Sequence, residues 1–101
     1  MKVFALLMTV TVLVLASRAQ AADAARGANL YKTCVECHGQ NGEGMASQEA
    51  PRIAGQYDWY ILSSLQAFKK KERNNPKMYP FIKNLSDQDF EDLAAHVSRL
   101  K

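Results

Sequence analysis

The chain has 101 residues, which is enough for one small domain. It carries 13 Lys and Arg residues against 10 Asp and Glu residues, but Lys2 and Arg18 lie in the first 21 positions, so 11 basic and 10 acidic residues remain beyond them. This balance lacks the strongly basic surface that nucleic-acid binding requires, and we predict no nucleic-acid partner.

The first 21 residues have the pattern of a secretory signal peptide. Lys2 supplies a positive charge, residues 3–16 are uncharged and almost wholly apolar, and Ala19 and Ala21 are the small residues that a signal peptidase requires. A retained membrane anchor is the alternative, but this apolar run spans only ~21 Å as a helix, less than the ~30 Å of a bilayer core. We therefore predict export to the periplasm, cleavage after Ala21, and a mature domain over 22–101 that does not enter the membrane.

A first helix is predicted over residues 23–35, with Asp23 as its N-cap. Four residues recur at helical spacing and form one face of this helix: Gly27, Leu30, Tyr31 and Cys34. The helix leads into the segment Cys-Val-Glu-Cys-His at 34–38, which holds both cysteines of the chain.

The segment 34–38 is compatible with several kinds of chemistry. A disulfide between Cys34 and Cys37 would close a very short loop and would constrain the unfolded chain little. A thioredoxin-like redox pair belongs at the end of a strand, and no strand pattern surrounds this motif. Zinc needs four ligands, and after Cys34, Cys37 and His38 the only further Cys or His is His96, so a zinc site would need either His96 or a carboxylate as its fourth ligand.

Covalent attachment of haem is the interpretation that uses every residue of the motif, because C-x-x-C-H is its signature. The thiols of Cys34 and Cys37 would add to the two vinyl groups of the porphyrin, and His38 would lie under the ring as an axial ligand of the iron. One haem would also stabilise a domain whose 80 residues bury little apolar surface by themselves.

A loop is predicted over residues 39–55, which are punctuated by Gly39, Gly42, Gly44, Pro51 and Gly55. A second helix is predicted over 56–70, with one apolar stripe that consists of Tyr57, Tyr60, Ile61, Ser64, Leu65 and Phe68. The Lys69–Lys71 cluster ends this helix. It either complements the helix dipole or, with Arg73 and Lys77, forms a docking patch for an acidic partner, and both interpretations stay open.

The second axial position of the iron has three candidate ligands beyond the leader: Met45, Met78 and His96. Met45 is only seven residues from His38, which is too close for the chain to wrap around the edge of the ring. His96 falls within a helical pattern and is better explained by packing. Met78 therefore remains the favoured ligand.

Met78 lies in the segment 74–84 between Pro76 and Pro80. Proline disfavours a regular helix, so this segment is predicted to be a stiff extended loop that points one thioether inward. A thioether is a known axial ligand of c-type haem. The alternative is that Met78 fills a gap in the core.

The last helix is predicted to begin at Ser86, because Ser86 and Asp89 have the spacing of a capping box. Its apolar face consists of Phe90, Leu93, Ala94, Val97 and Leu100. Since no segment has a strand pattern, the predicted fold class is all-α.

The sequence resembles the small class I c-type cytochromes of bacteria, in particular the cytochrome c4/c5/c-553 group, over residues 23–101. The matching segments, in order, are CVECHG, PRIAGQYDWYI, FKKKERNNPKM and LSDQDFEDLAAHVSRL. The resemblance implies a fold of three to four helices wrapped around one covalently attached haem c. It also implies that Cys34 and Cys37 carry the thioether bonds and that His38 and Met78 are the axial ligands.

The resemblance implies supporting roles for other residues. Pro51 would accept a hydrogen bond from Nδ1 of the haem histidine, and Ile53 would pack against the haem. Gly27 and Tyr31 would let the first helix cross the last one closely. His96 stands where relatives often have tyrosine, which keeps bis-histidine ligation as an alternative.

Iron held by the protein on both sides has no open position for a substrate, so the site suits one-electron transfer. We predict a monomeric, soluble carrier without catalytic turnover, which exchanges electrons with soluble or membrane-bound redox proteins. Two alternatives remain: a haem subunit of a dehydrogenase or oxidase complex, and a peroxidase or gas sensor whose Met78 dissociates from the iron.

Overall fold

The computed structural model describes residues 11–12 and 21–101. The predicted signal peptide therefore lies outside the described residues except at positions 11, 12 and 21. The described part of the chain contains five α-helices: α1 (Ala24–Leu30), α2 (Val35–His38), α3 (Asp58–Lys69), α4 (Tyr79–Ile82) and α5 (Asp87–Val97). Short 3-10 turns at Tyr31–Thr33 and Ala46–Gln48 complete the regular structure. No named strand occurs in these residues, as the all-α prediction requires.

The predicted first helix over 23–35 is divided into shorter segments. Asp23 caps α1 as expected, since its side chain accepts a hydrogen bond from the N–H of Arg26 at 3.0 Å. The chain then tightens, because the N–H of Cys34 bonds to the carbonyl of Tyr31, three residues back, rather than four. A fresh turn, α2, carries the second cysteine and the histidine of the motif.

Helix α5 fulfils its capping prediction. The Ser86 side chain accepts a hydrogen bond from the N–H of Asp89, and the Asp89 carboxylate accepts one from the N–H of Ser86. This reciprocal pair satisfies two donors at the start of the helix. The helix can therefore begin at Asp87 and present its apolar face to the rest of the protein.

The core lies where α5 packs against α1 and α3. Its buried members are Tyr31, Ile61, Leu65, Ile82, Phe90, Leu93, Ala94 and Val97. Burial of a side chain as large as Phe90 or Leu93 contributes about 1.5–3 kcal/mol relative to exposure. A core of eight side chains is small, which agrees with the expectation that the domain needs a further stabilising group.

The predicted apolar stripe of α3 is partly wrong. Ile61 and Leu65 are buried as expected, but Tyr57 remains 68% exposed and Tyr60 44% exposed, and the neighbouring Trp59 is exposed as well. The rings of Tyr57 and Trp59 stack on each other, with centroids 5.6 Å apart, and Trp59 meets Tyr60 edge to face. The first turn of α3 therefore presents aromatic surface outward instead of adding it to the core.

The predicted extended loop over 74–84 is also wrong, because it contains helix α4 and a helical turn before it. Met78 has φ −80° and ψ −34°, which are helical values. Pro80 lies in the first turn of α4, where a missing N–H leaves no helical hydrogen bond unmade. The prolines therefore shape the start of a helix rather than prevent one.

Within residues 11–12 and 21–101, no helix has the length and apolar character needed to cross a membrane.

Candidate haem-binding site

Helix α2 and the turn before it bring Cys34, Cys37 and His38 to one wall of a cleft. The N–H of His38 bonds to the carbonyl of Cys34 at 2.9 Å, so the two cysteines lie about one helical turn apart. Both thiols are free, and burial raises the pKa of the Cys34 thiol. All three side chains line the same cavity, whose volume is about 160 Å³.

The imidazole of His38 is oriented by the main chain of Pro51. His38 is only 7% exposed, and its Nδ1 lies 2.9 Å from the Pro51 carbonyl oxygen. A carbonyl oxygen can only accept, so Nδ1 carries the proton in this contact and the Nε2 lone pair remains available for a metal. A bond of this kind fixes the plane of a ligating histidine and raises its basicity.

The loop between α2 and α3 folds back so that Pro51 can reach His38. The carbonyl of Gly42 accepts hydrogen bonds from the N–H groups of Ile53 and Ala54, at 2.9 and 3.0 Å. Gly44 has φ +83°, and a Cβ atom there would lie 2.6 Å from the Arg52 nitrogen. The absence of a side chain at Gly44 therefore lets its main chain pack directly against the main chain of Pro51 and Arg52.

Tyr31 supports the same loop from the core side. Its hydroxyl donates a 2.5 Å hydrogen bond to the carbonyl of Gly39, the residue that ends α2. Burial raises the pKa of Tyr31 to about 12, so the phenol stays protonated and remains a donor at neutral pH. The buried core is thereby tied to the residue next to His38.

Met78 lines the same cavity as the cysteine motif. A second cavity of about 330 Å³ adjoins the first, and both are lined by His38, Pro51, Asn75 and Met78. Apolar side chains form much of the remaining wall of the second cavity: Ile53, Ile61, Leu65 and Phe68. The structure thus brings together Cys34, Cys37, His38, Pro51, Ile53 and Met78, all of which the sequence had singled out.

The residues of this cleft fit a covalently bound haem. Two free thiols lie on one helical turn, an imidazole has one nitrogen tied to a carbonyl, and a thioether faces the same space. Zinc fits less well, because no group of three or more Cys, His, Asp and Glu side chains in the described part of the chain could hold a metal ion. The apolar walls also suit a flat apolar group better than a small hydrated ion.

The other candidate ligands are placed elsewhere. His96 packs against Tyr31 with ring centroids 5.3 Å apart and lines neither cavity. Met45 pairs with Ala50 in the loop and also lines neither of them.

Several lining residues were missed by sequence analysis, among them Asn75 and Phe81. For Asn75 a signal existed, because asparagine before proline is typical of a helix start.

The basic cluster at the end of α3 is occupied by contacts within the chain. Lys69 donates a hydrogen bond to the Leu85 carbonyl, and the Lys71 ammonium lies 4.7 Å from the centroid of the Tyr79 ring. Outside the cluster, the Arg73 guanidinium lies 4.5 Å from the Phe68 ring centroid. The Lys69 and Lys71 contacts join the end of α3 to α4 and to the segment before α5, and they leave both interpretations of the cluster open.

Covalent attachment through C-x-x-C-H is the property that distinguishes c-type haem proteins. The chain belongs to the cytochrome c family, since the family described as "Cytochrome c" matches residues 24–101.

Individual relatives support the same class. The chain is 41% identical over 81 residues to cytochrome c-554(548) of Halomonas halodenitrificans, a match that covers 77% of this chain and 96% of that protein. It is 38% identical over 92 residues to the thiosulfate dehydrogenase electron acceptor of Stutzerimonas stutzeri, covering 85% of this chain and 43% of the relative. The solved cytochrome c4 of Acidithiobacillus ferrooxidans matches with a TM-score of 0.72 and 32% identity, over 83% of this chain and 53% of that chain.

The chain therefore spans nearly all of the Halomonas protein and about half or less of the other two. The predictions of class, fold and cofactor are confirmed: this is a class I c-type cytochrome similar to the c4 group, with an all-α fold and covalent haem c, and it functions in electron transport.

Proposed function

We propose that this cytochrome is a soluble periplasmic carrier of single electrons in which His38 and Met78 are the axial ligands of one haem iron. The observation that carries the proposal is that both side chains line the same cleft. Cys34 and Cys37, which line the first cavity, would form the two thioether bonds. Residues 1–21 would direct export and be removed.

Each ligating residue has a distinct role in this proposal. Haem supplies one-electron redox chemistry. His38 binds through Nε2, because its Nδ1 is held by the Pro51 carbonyl at 2.9 Å. Met78 binds through a soft thioether, which favours reduced iron and raises the reduction potential relative to a second histidine. With both positions filled, no site remains for a substrate, and the chain has no catalytic turnover of its own.

The apolar walls of the cleft, like Met78, would raise the reduction potential of the haem. Ile53, Leu65 and Phe68 line the side on which the ring would lie. An apolar wall provides little solvation for the additional positive charge of oxidised iron, so it favours the reduced state. Ile53 thus acts through packing and dielectric rather than through a bond.

The axial ligands are tested by a spectrum of the oxidised holoprotein. We expect a low-spin c-type haem with a sulfur-to-iron charge-transfer band, and we expect Met78→Ala to abolish that band. Met45→Ala is the matched control, because Met45 lines neither cavity and its loss leaves the band intact. Persistence of the band in Met78→Ala would show that another residue ligates the iron.

Export is tested by the mass and location of the mature protein. Cleavage after Ala21 predicts a periplasmic protein that begins at Ala22 and has the mass of residues 22–101 plus one haem. A haem-loaded protein that retains residues 1–21 in the membrane fraction would contradict this part of the proposal.

A permanent haem subunit of a redox complex is the second candidate function. It is favoured by the exposed aromatic surface of Tyr57, Trp59 and Tyr60, because Tyr60 also lines the cleft. One relative is named as an electron acceptor of thiosulfate dehydrogenase. A carrier purifies from native cells as a monomer, whereas a subunit purifies with a partner.

A peroxidase or gas sensor would differ from both of these functions, because Met78 would leave the iron and an external ligand would take its place. Rapid binding of carbon monoxide to the native reduced protein would support that class. Under the proposed His38/Met78 ligation, we expect carbon monoxide to bind slowly or not at all.

A further inference from the structure

Residues 75–79 form a single helical turn that is capped by the side chain of Asn75. The Asn75 Oδ1 accepts hydrogen bonds from the N–H groups of Lys77 and Met78, each at 3.2 Å. The Asn75 carbonyl accepts a third from the N–H of Tyr79 at 3.0 Å. Pro76 takes the first position of the turn, where a missing N–H costs nothing. This is the arrangement of an N-cap, and it fixes the main chain at Met78.

Asn75 also faces the cleft. It is half-buried and lines both cavities together with His38 and Met78. The same side chain thus borders the cleft and holds the main chain of Met78, which lines both cavities together with His38. Its neighbour Asn74 is exposed and makes no side-chain hydrogen bond within the described residues.

The local main chain depends strongly on this cap. Methionine has three rotatable side-chain bonds, so the thioether is placed reproducibly only if its Cα position is fixed. On the C-terminal side, the Met78 carbonyl accepts a hydrogen bond from Phe81 at 2.9 Å, which joins it to α4. On the N-terminal side, Asn75 provides the hydrogen bonds that hold the turn, because Pro76 has no N–H to contribute.

We propose that Asn75 is a positioning residue that holds Met78 against the haem iron through the hydrogen bonds its side chain accepts from the main chain of Lys77 and Met78. The inference rests on the proposed His38/Met78 ligation. Loss of the cap frees the first turn and increases the fraction of molecules in which the thioether leaves the iron. The hydrogen-bonded side chain thereby sets how firmly the sulfur is held.

Three variants of the holoprotein test this role. Asn75→Ala removes the cap, Asn75→Ser retains a side-chain oxygen of good capping type, and Asn74→Ala is the control at the exposed neighbour. The quantities to be measured are the charge-transfer band of the oxidised protein as a function of pH and temperature, the reduction potential, and the rate of hydrogen exchange at the Met78 N–H. None of these readouts depends on activity with a partner.

In Asn75→Ala we expect the fraction of molecules without the sulfur–iron bond to rise about fivefold. This is the change in equilibrium that the loss of a typical N-cap residue produces. The band should then disappear at a lower temperature than in the parent, the reduction potential should fall, and the Met78 N–H should exchange faster. Asn75→Ser should restore most of each property, and Asn74→Ala should match the parent.

The positioning role would be overturned, with the ligation left intact, if the parent and the Asn75→Ala variant had the same band stability and potential, or if the Ser variant were as impaired as the Ala variant. If the parent itself lacks the charge-transfer band, the proposed ligation fails, and the role of Asn75 fails with it. An effect of Asn74→Ala as large as that of Asn75→Ala would also overturn the positioning role.

Discussion

Gly27 of α1 lies directly against the main-chain carbonyl of Asp92 in α5, so closely that a Cβ atom at position 27 would overlap it. The helices cross here at backbone distance, as the resemblance implied. We expect Gly27→Ala to lower the free energy of unfolding of the holoprotein by about 1–3 kcal/mol, the usual cost of overpacking, as measured by denaturant titration. Asn29→Ala, at an exposed position of α1, is the control, and equal effects of the two variants would contradict the close crossing.

The side chain of Asp92 ties the start of α1 to α5. It is 1% exposed and accepts hydrogen bonds from the Asp23 N–H, the Arg26 guanidinium and the Gln88 amide, at 2.8, 2.8 and 2.9 Å. We expect Asp92→Asn to lower the free energy of unfolding by about 1–3 kcal/mol, because it leaves buried donors poorly paired. Glu91→Gln removes a charge from the neighbouring position and should change stability little. A similar loss in both variants would assign the effect to net charge instead.

The pKa of Asp92 also determines how the stability of the protein changes at acid pH. Burial alone would raise the pKa of its carboxyl, but the hydrogen bonds from Asp23, Arg26 and Gln88 outweigh burial and hold the pKa below 3.8. The unfolded state then binds the proton at higher pH than the folded state. Stability is therefore complete above about pH 4 and is lost as the pH falls through the folded pKa. The stability of Asp92→Asn should fall less steeply in this range, and an unchanged slope would contradict the assignment.

The raised pKa of Tyr31 gives the opposite dependence of stability on pH, in the alkaline range. Burial raises its pKa to about 12, above the usual 10.0, so the folded state keeps its proton longer than the unfolded state. Its stabilising effect is complete below pH 10 and declines as the pH rises towards 12. A near-ultraviolet titration should show one tyrosine that ionises only near pH 12, and this tyrosine should be absent from Tyr31→Phe. The same variant should lose about 1 kcal/mol of stability, since the bond to Gly39 is gone.

His96 should titrate below its ordinary range. Burial lowers its pKa from 6.5, because the charged ring is poorly solvated beside Tyr31. The unfolded state therefore binds the proton first as the pH falls, and stability declines below about pH 6.5. NMR titration of the ring should give the lowered pKa. His96→Phe should remove this part of the pH dependence and leave the charge-transfer band intact, whereas loss of the band would restore His96 as a ligand.

Local patterns predicted the elements whose signals lie within a few residues. Ser86 and Asp89 set the start of α5 at the expected position, and Asp23 caps α1. The C-x-x-C-H motif is equally local, because one helical turn suffices to place Cys34, Cys37 and His38 on one wall. In each case the determining interaction spans four residues or fewer.

Three other features were predicted wrongly or only through the family resemblance, and one of them is local. The prolines around Met78 were interpreted as helix breakers, although Asn75 converts Pro76 into the first residue of a capped turn. Tyr57 fits the apolar spacing of α3 but precedes the helix as its N-cap and remains 68% exposed. The bond between His38 and Pro51 depends on how a glycine-rich loop folds back, and only the family resemblance pointed to it.

The salt bridges and hydrogen bonds between α1 and α5 have a consequence for biogenesis. They join residues 66 and 69 positions apart, so the cysteine-bearing end of the chain cannot finish packing until the last helix is available. Bringing such distant segments together is slow compared with forming a single helical turn. If residues 1–21 direct export as proposed, the thiols of Cys34 and Cys37 would emerge before α5 and stay accessible for haem attachment. The arrival of α5 would then close the polypeptide around a porphyrin that is already attached.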